Sequence, residues 1–248
     1  MTKNLTRLCV ESIAENLHIY DPNSFLEATM SLSPDLIEDL SIAATARGNL
    51  TDSTIGLLKN SQVNALTVGE ISDAGLFSIF PVLNTTNIEY LTDENSGWET
   101  AEISCQGCFD LRKISFVQTT KVSIRGLALL KTRIPCINVI RFLNVTFHEL
   151  QYVELIRVVT KFSELEICKC DWLTINFLQI LYNTLSKVQS ESFNDQISPD
   201  CGDYFGLVCL KKIIISKIEF PGDDWTSTLT TLKEKLKCEC DVVLETSI

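Results

Sequence analysis

The sequence predicts an α/β array of short parallel strands, with helices or turns on its outer face and a helical cap at its N-terminus. Three observations carry this expectation. A short apolar pattern returns at a near-constant interval, helix-start signals follow several of its copies, and a separate helical spacing precedes the first copy.

Composition sets the bounds. The 248 residues are 45% hydrophobic and 21% charged, which is the make-up of a folded chain. The formal net charge of -11 argues against nucleic acid as a partner, because phosphate binding draws on clustered Lys and Arg. No uncharged apolar run approaches the roughly 18 residues of a membrane span, so no membrane partner is expected. The N-terminus, interrupted by Glu11, Glu15 and Asn16, lacks the apolar core of a signal peptide. The expectation is an intracellular protein, cytoplasmic or nuclear or both. In a reducing compartment its ten cysteines read as free thiols, small apolar fillers of strands. A structural metal at Cys105-x-x-Cys108 is the alternative, but the chain has only two His and no second such pair.

The first helix is expected over residues 4–18, where Leu5, Leu8, Cys9, Ser12, Ile13, Asn16 and Leu17 fall at helical spacing and Asp21-Pro22-Asn23 ends the run. A second opens at Ser33, an N-cap, with Pro34 at the first helical position, and presents Leu36, Ile37 and Leu40. A third starts near Thr51 or Asp52 and carries Ile55, Leu57 and Leu58. Residues 1–60 are therefore read as the cap and residues 61–248 as the array.

Within the array the pattern is apolar-x-x-apolar-x-apolar. It runs through Val63/Leu66/Val68, Leu111/Ile114/Phe116, Ile137/Ile140/Phe142, Phe162/Leu165/Ile167 and Leu210/Ile213/Ile215, with a partial copy at Ile88/Leu91. The central residues Leu66, Leu91, Ile114, Ile140, Leu165 and Ile213 are 25, 23, 26, 25 and 48 residues apart. Leucine-rich repeats have a period of about 20–29 residues, and the array is read as such a solenoid. Residues two apart share a strand face, so the second and third apolar positions point inward together, and only stacked neighbours can bury them. A doubly wound nucleotide-binding sheet is the alternative; it predicts a Gly-rich phosphate loop, which is absent. Ser72 or Asp73 caps a helix carrying Leu76 and Phe77. Trp172 to Leu185 reads as a buried helix, Leu229, Leu232 and Leu236 space another, and Cys240 to Leu244 is the final strand. Gln189 to Asp203, rich in Ser, Asp, Asn, Pro and Gly, reads as an irregular loop, and the repeat is weak from Thr92 to Gly107.

The cap also carries a resemblance. Leu5-x-x-x-Cys9-x-x-x-Ile13 resembles the elongin C-binding box of substrate receptors of cullin-RING ubiquitin ligases, with Asn4 where the family has a small residue or Pro. Leu32-Ser33-Pro34-Asp35-Leu36-Ile37 is similar to the cullin-selecting box, with Ser33 in its first apolar place. The order of these parts, followed by Gly48 to Asp52, Leu66-Thr67-Val68 and Ile71 to Leu76, resembles the Zyg-eleven family over roughly the first 80 residues and more loosely through the repeats. The resemblance implies a substrate-recognition adaptor. Leu5, Cys9 and Ile13 would contact elongin C (with elongin B), Pro34, Leu36 and Ile37 would contact a cullin, and the repeat surface would hold a protein substrate.

No catalytic set emerges. His18 and His148 lack a nucleophile and acid in any readable arrangement, and there is no P-loop, nucleotide fingerprint or zincin motif. The expectation is a non-enzymatic binding module with no cofactor. The strand positions alternating with the inward ones supply a candidate surface: Lys113, Ser115, Val139, Arg141, Glu164, Glu166, Ile214 and Ser216, a row running from basic to acidic. Two readings remain. An adaptor requires the Leu5/Cys9/Ile13 stripe to be exposed in the free chain; a scaffold that ignores elongin C has it buried against the first repeat.

Overall fold

The structure, a computed structural model, describes residues 5–59, 62–84, 91–92, 99–100, 104–118, 121–147, 151–192, 209–216, 230, 234 and 241–245. It begins with helix α1 (Leu5–Glu15), extended by a 3-10 turn over Leu17–Ile19. Asp21-Pro22-Asn23 does more than end that run. The Asp21 carboxylate accepts the Ser24 N–H at 3.0 Å and Pro22 takes the first turn, so the same residues open α2 (Pro22–Met30), a helix the sequence reading missed. Ser33 caps α3 (Pro34–Ala46) as expected. That helix ends where Gly48 adopts φ +70, letting its N–H and that of Asn49 return to the carbonyls of Thr45 and Ala44. The third expected helix is a single 3-10 turn, Ile55–Leu58, whose Ile55, Leu57 and Leu58 are buried.

Strand β1 (Ala65–Val68) and helix α4 (Asp73–Ser78) follow. Four short strands come next: β2 (Val82–Asn84), β3 (Leu91–Thr92), β4 (Glu99–Thr100) and β5 (Ser104–Gln106). Then β6 (Lys113–Val117), α5 (Ile124–Arg133), β7 (Val139–Leu143), α6 (Tyr152–Val159) and β8 (Glu164–Cys168) alternate. The chain continues through α7 (Ile175–Ser192), β9 (Lys212–Ser216) and β10 (Asp241–Glu245). The fold is α/β: β1, β6, β7, β8, β9 and β10 form one sheet in chain order, every neighbouring pair parallel.

The register brings the predicted central residues into line. Leu66 pairs with Ile114, Ile114 with Ile140, Ile140 with Leu165 and Leu165 with Ile213. All five are buried, as are the third apolar positions Val68, Phe116, Phe142, Ile167 and Ile215. One row of side chains thus forms a continuous wall that no single strand could bury. Where each strand begins, one carbonyl of the neighbouring strand accepts from the incoming chain. Asn64 O accepts from the N–H groups of Arg112 and Lys113, Arg112 O from those of Asn138 and Val139, and Asn138 O from those of Ser163 and Glu164. Where three strands end, Gln118, Asn144 and Lys169 adopt φ of 66, 54 and 53.

The partial copy at Ile88/Leu91 is not a strand of this sheet. Leu91 sits in β3, paired antiparallel with β4, and β1 lies directly against β6. The third position of that copy is Asp93, and an aspartate cannot take the inward site that Val68 and Phe116 fill without a costly unpaired buried charge. Ile88 itself lies outside the described residues, as do Leu229, Leu232 and Leu236, His148 and most of the expected loop; Thr230 and Glu234, within the helix expected at those leucines, are helical. That loop starts later than expected, since α7 continues through Gln189 to Ser192. Trp172 anchors this end of the core. Its indole N–H donates to the Val145 carbonyl at 2.9 Å, and its ring meets Phe142 and Phe177 edge-on at 5.6 and 5.2 Å.

Candidate protein-docking surfaces

Helix α1 has two apolar faces. Ala14 and the following Leu17 are buried, with Val10 and Ile13 packed partly against the core. The Asn49 side chain donates to the carbonyls of Ala14 and Glu15 at 3.0 and 3.1 Å and ties the end of the helix to the turn after α3. On the other side Leu5 is 74% and Leu8 46% exposed, and Cys9 is exposed. At 3.6 residues per turn, Leu5, Leu8 and Cys9 share a stripe nearly opposite Val10, Ala14 and Leu17. Of the three box residues, Leu5 and Cys9 therefore face solvent, while Ile13 is half-buried at the edge of the core.

The second predicted set is corrected in part. Ile37 is fully buried: in α3 it shares a face with Leu40, Ser41 and Ala44, which the neighbouring elements cover. A buried residue is a packing residue and not a contact for a cullin. Pro34 and Leu36 are half-buried. The large apolar residue that α3 exposes is Ile42, 46% exposed, which the sequence reading passed over. Together with Thr6 and Val10 of α1 and Ala43 and Ala46 of α3 it lines a cleft between the two helices. Arg7 and Arg47 lie 3.1 and 3.8 Å from Glu11 at its edge.

On the sheet face, the alternating positions form two cross-strand rows. One runs Ala65, Lys113, Val139, Glu164, Lys212, Asp241; the other runs Thr67, Ser115, Arg141, Glu166, Ile214, Val243. Val139, Ile214 and Ser216 are half-buried. Ser115 is buried, a correction to its predicted exposure: its short side chain lies in register between Thr67 and Arg141 and cannot reach past them. The charges do not segregate into separate blocks. Glu166 lies 2.9 Å from Arg141 Nε and 3.8 Å from Lys113 Nζ, and Glu164 lies 3.4 Å from Lys212 Nζ. The Arg141 contact is ionic without an aligned hydrogen bond, since its Nε finds no acceptor along its N–H. Lys212, unpredicted, joins this set because β9 packs beside β8.

The cysteines divide by burial. Cys108, Cys168 and Cys170 are buried and Cys136 is half-buried, while Cys9 and Cys209 are exposed. Burial pushes the Cys170 thiol up to about 11, countered in part by backbone hydrogen bonds at Val145 and Cys168. Among the described residues no three His, Cys, Asp or Glu side chains gather where they could hold a metal ion. His18 is exposed at the end of the first helical segment. Among the described residues no helix is long and apolar enough to cross a membrane.

No family model and no curated protein matches the chain. Among solved structures, it is similar to the crystal structure of the Rad7 and Elc1 complex in yeast. The match has 14% identity and a TM-score of 0.49, over 99% of this chain and 53% of that one. The present chain spans about half the length of the solved chain it matches.

Proposed function

We propose that this chain is a leucine-rich-repeat adaptor of the Zyg-eleven kind, which recruits a protein substrate to an elongin–cullin ubiquitin ligase and performs no catalysis itself. In this reading residues 1–60 are the docking cap, residues 61–248 are the solenoid, and the protein works inside the cell. The single observation that carries the proposal is the outward stripe of α1: Leu5 is 74% exposed, with Leu8 and Cys9 beside it, on a helix whose opposite face already holds it to the core. Apolar side chains at i and i+4 on a firmly seated helix suit a hydrophobic groove on a partner, and their exposure in the free chain has no packing purpose. On the ligase side, elongin C would take Leu5 and Cys9, with Ile13 at the margin. A cullin would meet the exposed side of α3, around Pro34, Leu36 and Ile42.

The test is capture of purified elongin B–elongin C by the chain and by a Leu5→Ala/Cys9→Ala variant, with circular dichroism on both. Binding by the folded wild type and loss in an equally folded variant is the expected result. Failure of the wild type to bind removes the adaptor reading and leaves a non-catalytic interaction scaffold.

A further inference from the structure

We propose that the sheet face around Lys113, Arg141 and Lys212 is a docking surface for an acidic segment of a partner protein. The inference rests on reading that face as the substrate side, and gives the substrate a chemistry.

The cations of this face are more exposed than its carboxylates. The carboxylates are sunk: the Glu166 side chain is 18% exposed and that of Glu164 is 25% exposed. The cations ride above them, with Lys113 at 36%, Arg141 at 40% and Lys212 at 39%. Each carboxylate is already committed to neighbours, Glu166 to two cations and Glu164 to one, and holds them in place. An approaching molecule therefore meets the cations of β6, β7 and β9 ahead of Glu164 and Glu166, with the exposed Asp241 of β10 in register beside Lys212 at the margin of the sheet. Arg112 and Lys211, exposed where β6 and β9 begin, extend the same edge. Half-buried Val139 and Ile214 lie among these groups and offer apolar contact between the charges.

The rest of the molecule sharpens the point. With a net charge of -11, the chain as a whole repels an acidic segment, so a segment that binds must be held by a local surface. Geometry sets its spacing. Lys113 and Lys212 lie in the same cross-strand row, on strands three apart in the sheet. Three strand spacings of about 4.8 Å make roughly 14 Å, the span of about four residues of extended chain. Acidic residues about four positions apart in an extended segment match the two lysines.

The experiment is fluorescence polarisation of a short labelled peptide with a glutamate at every fourth position, against the same peptide with lysines in those places, using the full chain. The glutamate peptide is expected to bind, and the lysine peptide not. Lys113→Glu/Lys212→Glu should weaken binding about tenfold or more, as should raising the salt from about 0.1 to 0.5 M. Lys121→Glu, the same type of charge reversal at an exposed site beyond the other end of β6, should leave it unchanged. Absence of binding by the glutamate peptide, equal binding by the lysine peptide, or an equal loss in Lys121→Glu overturns the proposal. Circular dichroism checks that the variants fold, and the salt series on the wild type decides the matter if the double variant does not. Elongin capture reads α1 alone, so the two proposals fail separately.

Discussion

The carboxylate of Asp73 accepts the backbone N–H of Ser123 at 2.8 Å and its hydroxyl at 2.6 Å, across 50 residues of sequence. The arrangement recurs among the described residues. Earlier in the chain, Asp52 receives the N–H and hydroxyl of Ser72 at 2.7 and 2.5 Å. Each serine in turn caps its own helix, Ser72 through the Ala74 N–H and Ser123 through the Gly126 N–H. Each aspartate, the serine it holds and the helix behind that serine form a relay that joins segments far apart in sequence. Glycine makes room for it: a Cβ at Gly75 would lie 2.2 Å from Asp52 Oδ1, and one at Gly126 would lie 2.1 Å from Asp73 Oδ1.

This predicts non-additive energetics. Gly126→Ala forces the Asp73 carboxylate aside and should destabilise by about 1–3 kcal/mol. Asp73→Ala loses charge-assisted hydrogen bonds at a partly exposed site and should cost about 1–2 kcal/mol. Asp73→Ala removes the three atoms nearest the added methyl, so the double variant should cost clearly less than the two single changes together. Urea unfolding of the four proteins measures the coupling; simple additivity would show that Asp73 and Gly126 do not act together.

A second prediction concerns the left-handed residues that follow the strands. Lys169 holds φ 53 with a full side chain, a conformation disfavoured for L-residues by about 1–2 kcal/mol. Lys169→Gly relieves that strain at some cost in chain entropy, and should raise stability by a few tenths to about 1 kcal/mol. Lys169→Val, β-branched at the same φ, should lower it by about 1 kcal/mol or more. Thermal melts that rank Val at or above Gly would contradict the geometry.

The third follows from Cys170. Its thiol ordinarily titrates near 9.0 and burial raises it to about 11 in the fold. The neutral form is favoured in the native state, so the stability associated with it is complete below pH 9 and is lost as the pH rises from 9 towards 11, where the unfolded chain ionises first. Between those limits, wild type should lose stability faster with pH than Cys170→Ala, although the variant starts lower because it has given up core packing. Parallel pH profiles for the two would refute the assignment. At neutral pH a thiol reagent should label exposed Cys9 and Cys209 in the native protein and reach Cys170 only after unfolding.

Much of the fold is written locally. The inward positions of five strands could be read from Val63/Leu66/Val68 and its copies because burial on one strand face leaves a period of two, and their register in the sheet follows that reading residue for residue. Ser33 and Ser72 were legible as caps for the same reason, since a cap acts within three residues of itself. The reading failed where local signals have two meanings. Asp21-Pro22 both stops and starts a helix, and Ile88/Leu91 begins the strand pattern but carries Asp93 where the core demands an apolar group.

By itself, then, the sequence determined that short strands alternate with helices, which of their residues turn inward, and that a helical segment precedes them. Those are properties of neighbours in the chain, governed by backbone geometry and apolar period. Only the tertiary structure decided that Ile37 is buried and Ile42 exposed, that Leu5 and Cys9 stay in solvent, that Lys113 reaches Glu166 two strands away, and that Asp73 holds Ser123. The reason is physical. A helix with apolar residues on two sides buries whichever side its neighbours cover, and a charge pairs with whatever the sheet register brings beside it. Both are set by contacts between residues far apart in sequence.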